Sequence, residues 1–219
     1  MIVVKVGGAV AAGSANAILA LAAEHDVVVV HGAGAQITDE MRRRGIAVEF
    51  VGGRRVTTEA ALAVVRDSLA AVNSALCAAI GPRALSLFGD EIGLQAAHVP
   101  DLGCVGDALP SRPPAVLAAL AQDRIPVVAP LGVGPLNVNA DEAAAALALG
   151  LGAERLLFLT DVDGLILDGG VADAIDADSA LALLDSGRLD GGIVPKLRAA
   201  AVAARDGVPS EIGRTAVTA

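Results

Sequence analysis

The chain has 219 residues, a hydrophobic share of 54% and a formal net charge of −9. That length suits one globular unit with a sizeable core that needs no disulfide or metal staple. The acidic balance, the scattered basic residues and only three aromatics (Phe50, Phe88 and Phe158) exclude a base-stacking or phosphate-tracking nucleic-acid surface.

Residues 2–6 form a β-branched run that stops at Gly7-Gly8, the pattern of a strand entering a tight turn. Ser14 is placed to cap a helix to about residue 23, and 27–30 is a wholly apolar strand of the kind buried in a parallel sheet. His31, Gly32, Ala33 and Gly34 then lead into a helix that closes on Arg42, Arg43 and Arg44, where positive charge suits the helix end. Residues 50–56 predict a hairpin turning at Gly52-Gly53, and a long helix runs from 58 to 80 before Gly81-Pro82.

Short strands and turns are expected over 84–107, a helix over 114–122, a strand over 125–129 and a Gly/Pro loop over 132–136. Asn137 to Asp141 precede an alanine-rich helix, a strand at 156–159, and a turn at 160–164. A hairpin at 168–170, a helix over 179–186, and a final helix led in by Gly191-Gly192 and carrying Lys196 complete the pattern. Strands alternating with helices predict an α/β fold, a three-layer αβα sandwich with a largely parallel central sheet and two lobes. No run of about 18 apolar residues free of charge or Gly/Pro breaks occurs, nor a signal peptide, so the expected location is cytoplasmic with no membrane partner. Cys77 and Cys104 have no metal-ligand or CxxC spacing and are expected as reduced thiols.

Only two of the 16 basic residues are lysines, Lys5 and Lys196; the rest are arginine. A chain that otherwise uses arginine for positive charge keeps lysine where a compact ammonium fits and a flat guanidinium does not. The Gly-rich turns at 7–8 and 31–34 and the segments at 137 and 160–164 all follow strands, the edge of an α/β sheet where ligands bind. Standard nucleotide fingerprints are absent: Ile37 stands where a dinucleotide fold needs its third glycine, and no GxxxxGKS or GxxxxGKT occurs. His31 reads as a packed, hydrogen-bonded residue, Asn137 and Asn139 as capping candidates, and Asp161 and Asp163 as turn formers.

Taken together, the motifs around Lys5 to Gly8, His31 to Gly34, Gly53 to Thr57, Asn137 to Asp141, Leu159 to Leu165 and Gly191 to Lys196 resemble the amino acid kinase family, nearest its N-acetylglutamate kinase branch. The resemblance covers almost the whole chain and implies one domain over 1–219. Residues 1–136 form the substrate-binding and dimerisation lobe, and 137–219 the nucleotide-binding lobe. It implies phosphorylation of the side-chain carboxylate of N-acetyl-L-glutamate by ATP, with Mg2+ carried on the ATP phosphates and no protein metal ligand.

By the same resemblance Lys5 and Lys196 flank the moving phosphoryl group, Asp141 holds both ammonium groups, and Gly8 donates a backbone N–H. Ala33, Gly34, Arg55 and Asn137 take the substrate, with Arg54 the competing choice to Arg55. Gly7, Asp161, Val162, Asp163, Gly164, Leu165 and Leu189 hold ATP. The sequence departs from the family pattern at Ala33, where the second turn has glycine, at Asn73-Ser74 in place of Asn-Lys, and after Val208, where a longer segment is expected. A homodimer through the long helix follows. Alternatives are a kinase of carrier-bound glutamate or aminoadipate and a non-catalytic amino-acid or nucleotide sensor on the same fold.

Overall fold

The short, wholly buried runs of the sequence become the middle of one sheet. The computed structural model describes residues 1–8, 11–160 and 162–219. Its main sheet has eight strands: β1 (Ile2–Val6), β2 (Val27–His31), β3 (Ala84–Phe88), β4 (Ile125–Ala129), β5 (Arg155–Leu159), β6 (Ala174–Asp176), β7 (Ser210–Ile212) and β8 (Thr215–Thr218). Across the sheet they run β3-β4-β2-β1-β5-β7-β8-β6. The pairings from β3 to β7 are parallel, and only the β7–β8 hairpin reverses direction. Pro126 is tolerated in β4 because the ladder to β2 involves only Val127 and Val128.

Among the described residues eight α-helices complete the layers: α1 (Ala15–Leu21), α2 (Gly34–Arg43), α3 (Glu59–Ile80), the one-turn α4 (Gly89–Ile92), α5 (Pro114–Leu120), α6 (Ala140–Leu151), α7 (Ala177–Asp185) and α8 (Ile193–Arg205). The two-residue period of the strands sorts their side chains between two cores. Ile2, Val4 and Val6 pack with α1, α2 and α3 on one face. Val3, Val28, Val30 and Phe158 pack with α6, α7 and α8 on the other. Lys5 shares the face of Val3, which directs its ammonium at the start of α6.

The helix α3 is long and apolar enough to cross a membrane by length and hydropathy. It carries Arg66 and Asp67 near its middle, however, and packs Val65, Leu69 and Leu76 into the core. Thr58 caps it by accepting from Ala61 N. At Ser14 the expected capping bond does not form, because a 3-10 turn (Ala12–Ser14) feeds helical backbone straight into α1.

The expected hairpin at 50–56 forms between Phe50–Val51 and Arg54–Arg55, with Gly52 and Gly53 at positive φ. A small second sheet joins Ala96–His98, Val105–Ala108, Leu136–Val138 and Leu131–Gly132. Its Val105, Asn137 and Val138 line the same hollow as Lys5 of β1. Because β2 leaves β1 on one side and β5 flanks it on the other, a crevice opens beyond Val6, where an open α/β sheet binds its ligands.

Candidate functional site

Beyond Val6 the chain runs hard against the backbone of Gly32 and Ala33, which explains Gly8. A Cβ there would lie 2.7 Å from Gly32 O and 3.0 Å from Ala33 Cα, both rigid backbone. The contact is closed by Gln36, whose Nε2 donates to Gly8 O at 3.0 Å, and by Gly32 N donating to Val6 O at 3.0 Å. Two strand-ending turns are thus clamped together with their backbones facing the crevice.

One residue earlier, Lys5 Nζ stands 2.7 Å from Asp141 Oδ1, and both side chains are 7% exposed. Asp141 is held by its own helix start: Asn139 Oδ1 accepts from Asp141 N at 2.8 Å and from Glu142 N at 3.3 Å. The cap therefore fixes the carboxylate, and the carboxylate makes burial of a lysine tolerable.

Ala33 replaces a glycine of the family pattern at a negative φ of −145°, so no left-handed backbone calls for glycine here, and its side chain is 2% exposed within the core under α2. The methyl thus fills core space and leaves Gly34, with nothing crowding it, to open α2 toward the crevice. The start of this ten-residue helix aims free N–H groups at the same space.

Arg55 reaches this wall from the hairpin. It is 7% exposed, yet its guanidinium donates only to neutral groups: Gly34 O at 3.1 Å, Thr38 Oγ1 at 2.8 Å and the Met41 sulfur at 3.5 Å. The Phe50 ring lies 4.6 Å away over its face. No carboxylate pairs with Arg55 among the described residues, and burial pushes its pKa down. Arg54 differs: its Nη2 is 2.9 Å from Glu142 Oε1 and 2.9 Å from Asp107 Oδ1. The two neighbours point to opposite faces of the hairpin.

Asn137 closes the opposite wall. Its Nδ2 donates to Thr57 Oγ1 at 3.0 Å, and that hydroxyl donates to Arg55 O at 2.8 Å. Thr57, fully buried, is a residue the sequence reading passed over; its place two residues after Arg55 in the same motif was the available signal. Gln36 and Asn139 were likewise not singled out as positioning groups.

These groups line a single cleft of about 380 Å³ that holds Lys5, Gly7, Gly8, Ala33, Gly34, Arg55, Asn137, Asp141, Thr160 and Lys196. Lys196, from the first turn of α8, donates to Gly192 O at 3.0 Å. The two lysines, far apart in sequence, therefore meet at one cleft.

Val162, Asp163, Gly164, Leu165 and Leu189 do not line it. Leu165 is fully buried, with its N–H donating to Thr215 Oγ1 at 2.9 Å, and Leu189 packs against the same core. Gly164 and Asp163 are pressed against the β7–β8 hairpin, where Arg214 N donates to Asp163 O at 2.8 Å. Asp161 lies outside the described residues.

His31 is a packed residue. Its ring is fully buried, Asn73 Nδ2 lies 3.1 Å from Nε2 while donating to Val127 O, and burial lowers its pKa to about 4. It is neutral near pH 7 and outside the cleft. Among the described residues no group of three or more His, Cys, Asp or Glu side chains is placed to hold a metal ion.

Comparison with known proteins supplies context for this geometry. A model of the amino acid kinase family matches residues 1–213. An acetylglutamate kinase of Rubrobacter xylanophilus is 43% identical, over 96% of this chain and 87% of the relative. One of Saccharopolyspora erythraea is also 43% identical, over 87% of this chain and 69% of the relative. Among solved structures, smu.665 of Streptococcus mutans superposes with a TM-score of 0.90 at 28% identity, covering 99% of this chain and 98% of that one. A carbamate kinase of Giardia lamblia bound to AMP-PNP shares the fold, with a TM-score of 0.72 at 17% identity over 99% and 97% of the two chains.

Proposed function

The chain belongs to the amino acid kinase family, and from that premise we propose that it transfers the γ-phosphoryl group of ATP to the side-chain carboxylate of N-acetyl-L-glutamate. The product is N-acetyl-L-glutamyl 5-phosphate, a step of arginine biosynthesis. Two relatives sharing 43% of their residues carry the name acetylglutamate kinase, which supports the substrate. The observation that carries the reading is Arg55: a buried guanidinium with no carboxylate partner among the described residues, on the same cleft as the Lys5–Asp141 pair and Lys196.

A carboxylate is already ionised at neutral pH, so attack on the γ-phosphorus needs no general base. One carboxylate oxygen forms the new O–P bond, the bond from the γ-phosphorus to the bridging oxygen breaks, and ADP leaves with that electron pair. What the protein must supply is alignment and cancellation of charge. Lys5 and Lys196 offset charge on the phosphoryl oxygens from two sides, and Asp141 fixes Lys5. The N–H groups of Gly8, Ala33 and Gly34 supply further donors. Arg55 takes the α-carboxylate as a bidentate fork, and Asn137 orients the substrate beside it.

We place ATP along residues 161–165 and Leu189 of the 137–219 lobe, reaching Gly7 of the 1–136 lobe, and the acid within the 1–136 lobe. Mg2+ travels on the ATP phosphates. We further propose a cytoplasmic homodimer that pairs through α3, whose outer face presents Ala63, Ala71, Ser74 and Ala78 to solvent. Incubation with ATP, Mg2+, N-acetylglutamate and hydroxylamine is expected to yield the hydroxamate. ADP release with a different acid alone would overturn the substrate.

A further inference from the structure

Arg54 lines the cleft, but its guanidinium is engaged by two carboxylates that do not. The guanidinium joins three elements. It belongs to the Phe50–Arg55 hairpin, and it meets Asp107 on the Val105–Ala108 strand and Glu142 in the first turn of α6, at 2.9 Å each. That strand is the parallel neighbour of the one bearing Asn137, and Glu142 follows Asp141 directly.

The hairpin ladder is short: Phe50 pairs with Arg55 and Val51 with Arg54, Val56 N donates to Glu49 O at 3.0 Å, and both apolar residues, Phe50 and Val51, are about half exposed. So short a ribbon has marginal stability alone. Behind Arg54 lies a second cavity of about 330 Å³, walled by Glu142, Asp107, Leu149 and Val202, so no packed side chain would take over its role.

We propose that Arg54 is a positioning residue, whose clamp on Glu142 and Asp107 fixes the hairpin against α6 and thereby sets where Arg55 meets the substrate carboxylate. The inference rests on the assignment of Arg55 to that carboxylate. Arg54 is assigned to the clamp rather than to the substrate because its Nη2 is engaged by two carboxylates that do not line the cleft. Its effect is transmitted one residue along the strand, to a side chain on the opposite face.

The test is steady-state kinetics on the full chain, with calorimetric titration of N-acetylglutamate into the same proteins. Arg54→Met and Glu142→Gln are each expected to raise KM and Kd for the acid about threefold to fivefold, the scale of one partly exposed charge pair. KM for ATP and kcat stay within about twofold, since the reacting atoms are untouched. The double variant is expected to be no worse than the poorer single one, because both changes break one interaction. Arg54→Lys, which keeps a charge able to reach one carboxylate, regains part of the loss.

A raised KM in Arg54→Met with an unchanged KM in Glu142→Gln would overturn the clamp and make Arg54 a substrate ligand. A lowered melting temperature with KM unchanged in both would leave Arg54 a purely structural role. Failure of the wild-type protein to bind N-acetylglutamate, with binding of another acid, would instead sink the substrate assignment. The same comparison with that acid would still decide the clamp.

Discussion

Replacing Lys5 with methionine keeps the length of the side chain, removes its charge, and leaves Asp141 facing an apolar group. In the native protein the two charges stand 2.7 Å apart with both side chains only 7% exposed. At an effective dielectric constant of about 20 their attraction is about 6 kcal/mol, much of it offset by taking both groups out of water. Breaking one half of such a pair costs about 3–5 kcal/mol, because the surviving charge is buried without compensation. For a chain of this length that is a drop in Tm on the order of 10 °C.

Removing both charges, in Lys5→Met/Asp141→Asn, is expected to restore most of that stability. Activity does not follow. If Lys5 offsets charge on the moving phosphoryl group, kcat falls by about 10²–10³ in the single variant and stays low in the double one. Scanning calorimetry reads the first quantity and hydroxamate formation the second. A Lys5→Met protein that melts early yet keeps its kcat would leave the lysine a structural role only. A double variant that regains kcat along with stability would refute the charge argument outright.

Arg55→Ala is expected to raise KM for the acid about 10- to 100-fold, the worth of a charge-assisted hydrogen-bond pair, with little effect on kcat. N-acetylglutamate then raises the melting temperature of the wild-type protein but not of the variant; equal protection in both would clear Arg55 of substrate binding. His31 gives a pH prediction. Burial holds its pKa near 4, below the ordinary 6.5, so the unfolded chain takes up a proton before the folded one does. Stability from this residue is complete above pH 6.5 and falls as pH drops toward 4, by about 3 kcal/mol in all. Urea unfolding at pH 7 and pH 4.5 should show a smaller acid loss in His31→Gln; an equal loss would contradict the burial argument. Gly8→Ala drives a methyl group into Gly32 O and the Ala33 backbone, and is expected to cost about 1–3 kcal/mol and most of kcat. A variant with normal turnover would show that the two turns can separate freely.

The sheet was legible because its central strands are short, β-branched and buried on both faces, a pattern that few other structures accommodate. Residues at strand ends were legible for the same reason: topology brings the end of β1, the 31–34 turn and the start of α6 to one edge whatever their side chains do. Lys5 and Lys196 stood out because the chain uses arginine everywhere else. What could not be read was the direction of a side chain after a turn. The choice between Arg54 and Arg55 depends on which face of a two-residue strand looks at α2, and the Ala33 methyl on which side of the turn is core. Ser14 failed as a cap because a 3-10 turn, invisible in the hydrophobic period, supplied helical backbone before it. The expected turn at 160–164 falls, in its described residues, between β5 and the Ile166–Leu167 strand, but the packing of 163–165 against the β7–β8 hairpin is a long-range contact with no local signature.

The charge on the cleft wall ties these pieces together. In a chain of net charge −9, the described residues lining the cleft include four cationic side chains and a single carboxylate. Asp141 is committed to Lys5, and Arg54 is matched by its own carboxylates outside the cleft. Arg55 therefore brings a buried cation that no carboxylate among the described residues matches, and the starts of α2 and α6 add their positive ends. A buried cation of this kind costs stability in the unliganded protein and is hard to explain by folding alone. Bringing a carboxylate oxygen and a phosphoryl oxygen to about 3.5 Å costs about 5 kcal/mol in mutual repulsion at the same effective dielectric constant. A cleft that joins two anions must hold the opposing charge in place before they arrive. Buried, hydrogen-bonded cations at a sheet edge do so without reorganising, whereas flexible surface lysines would have to be ordered during the reaction.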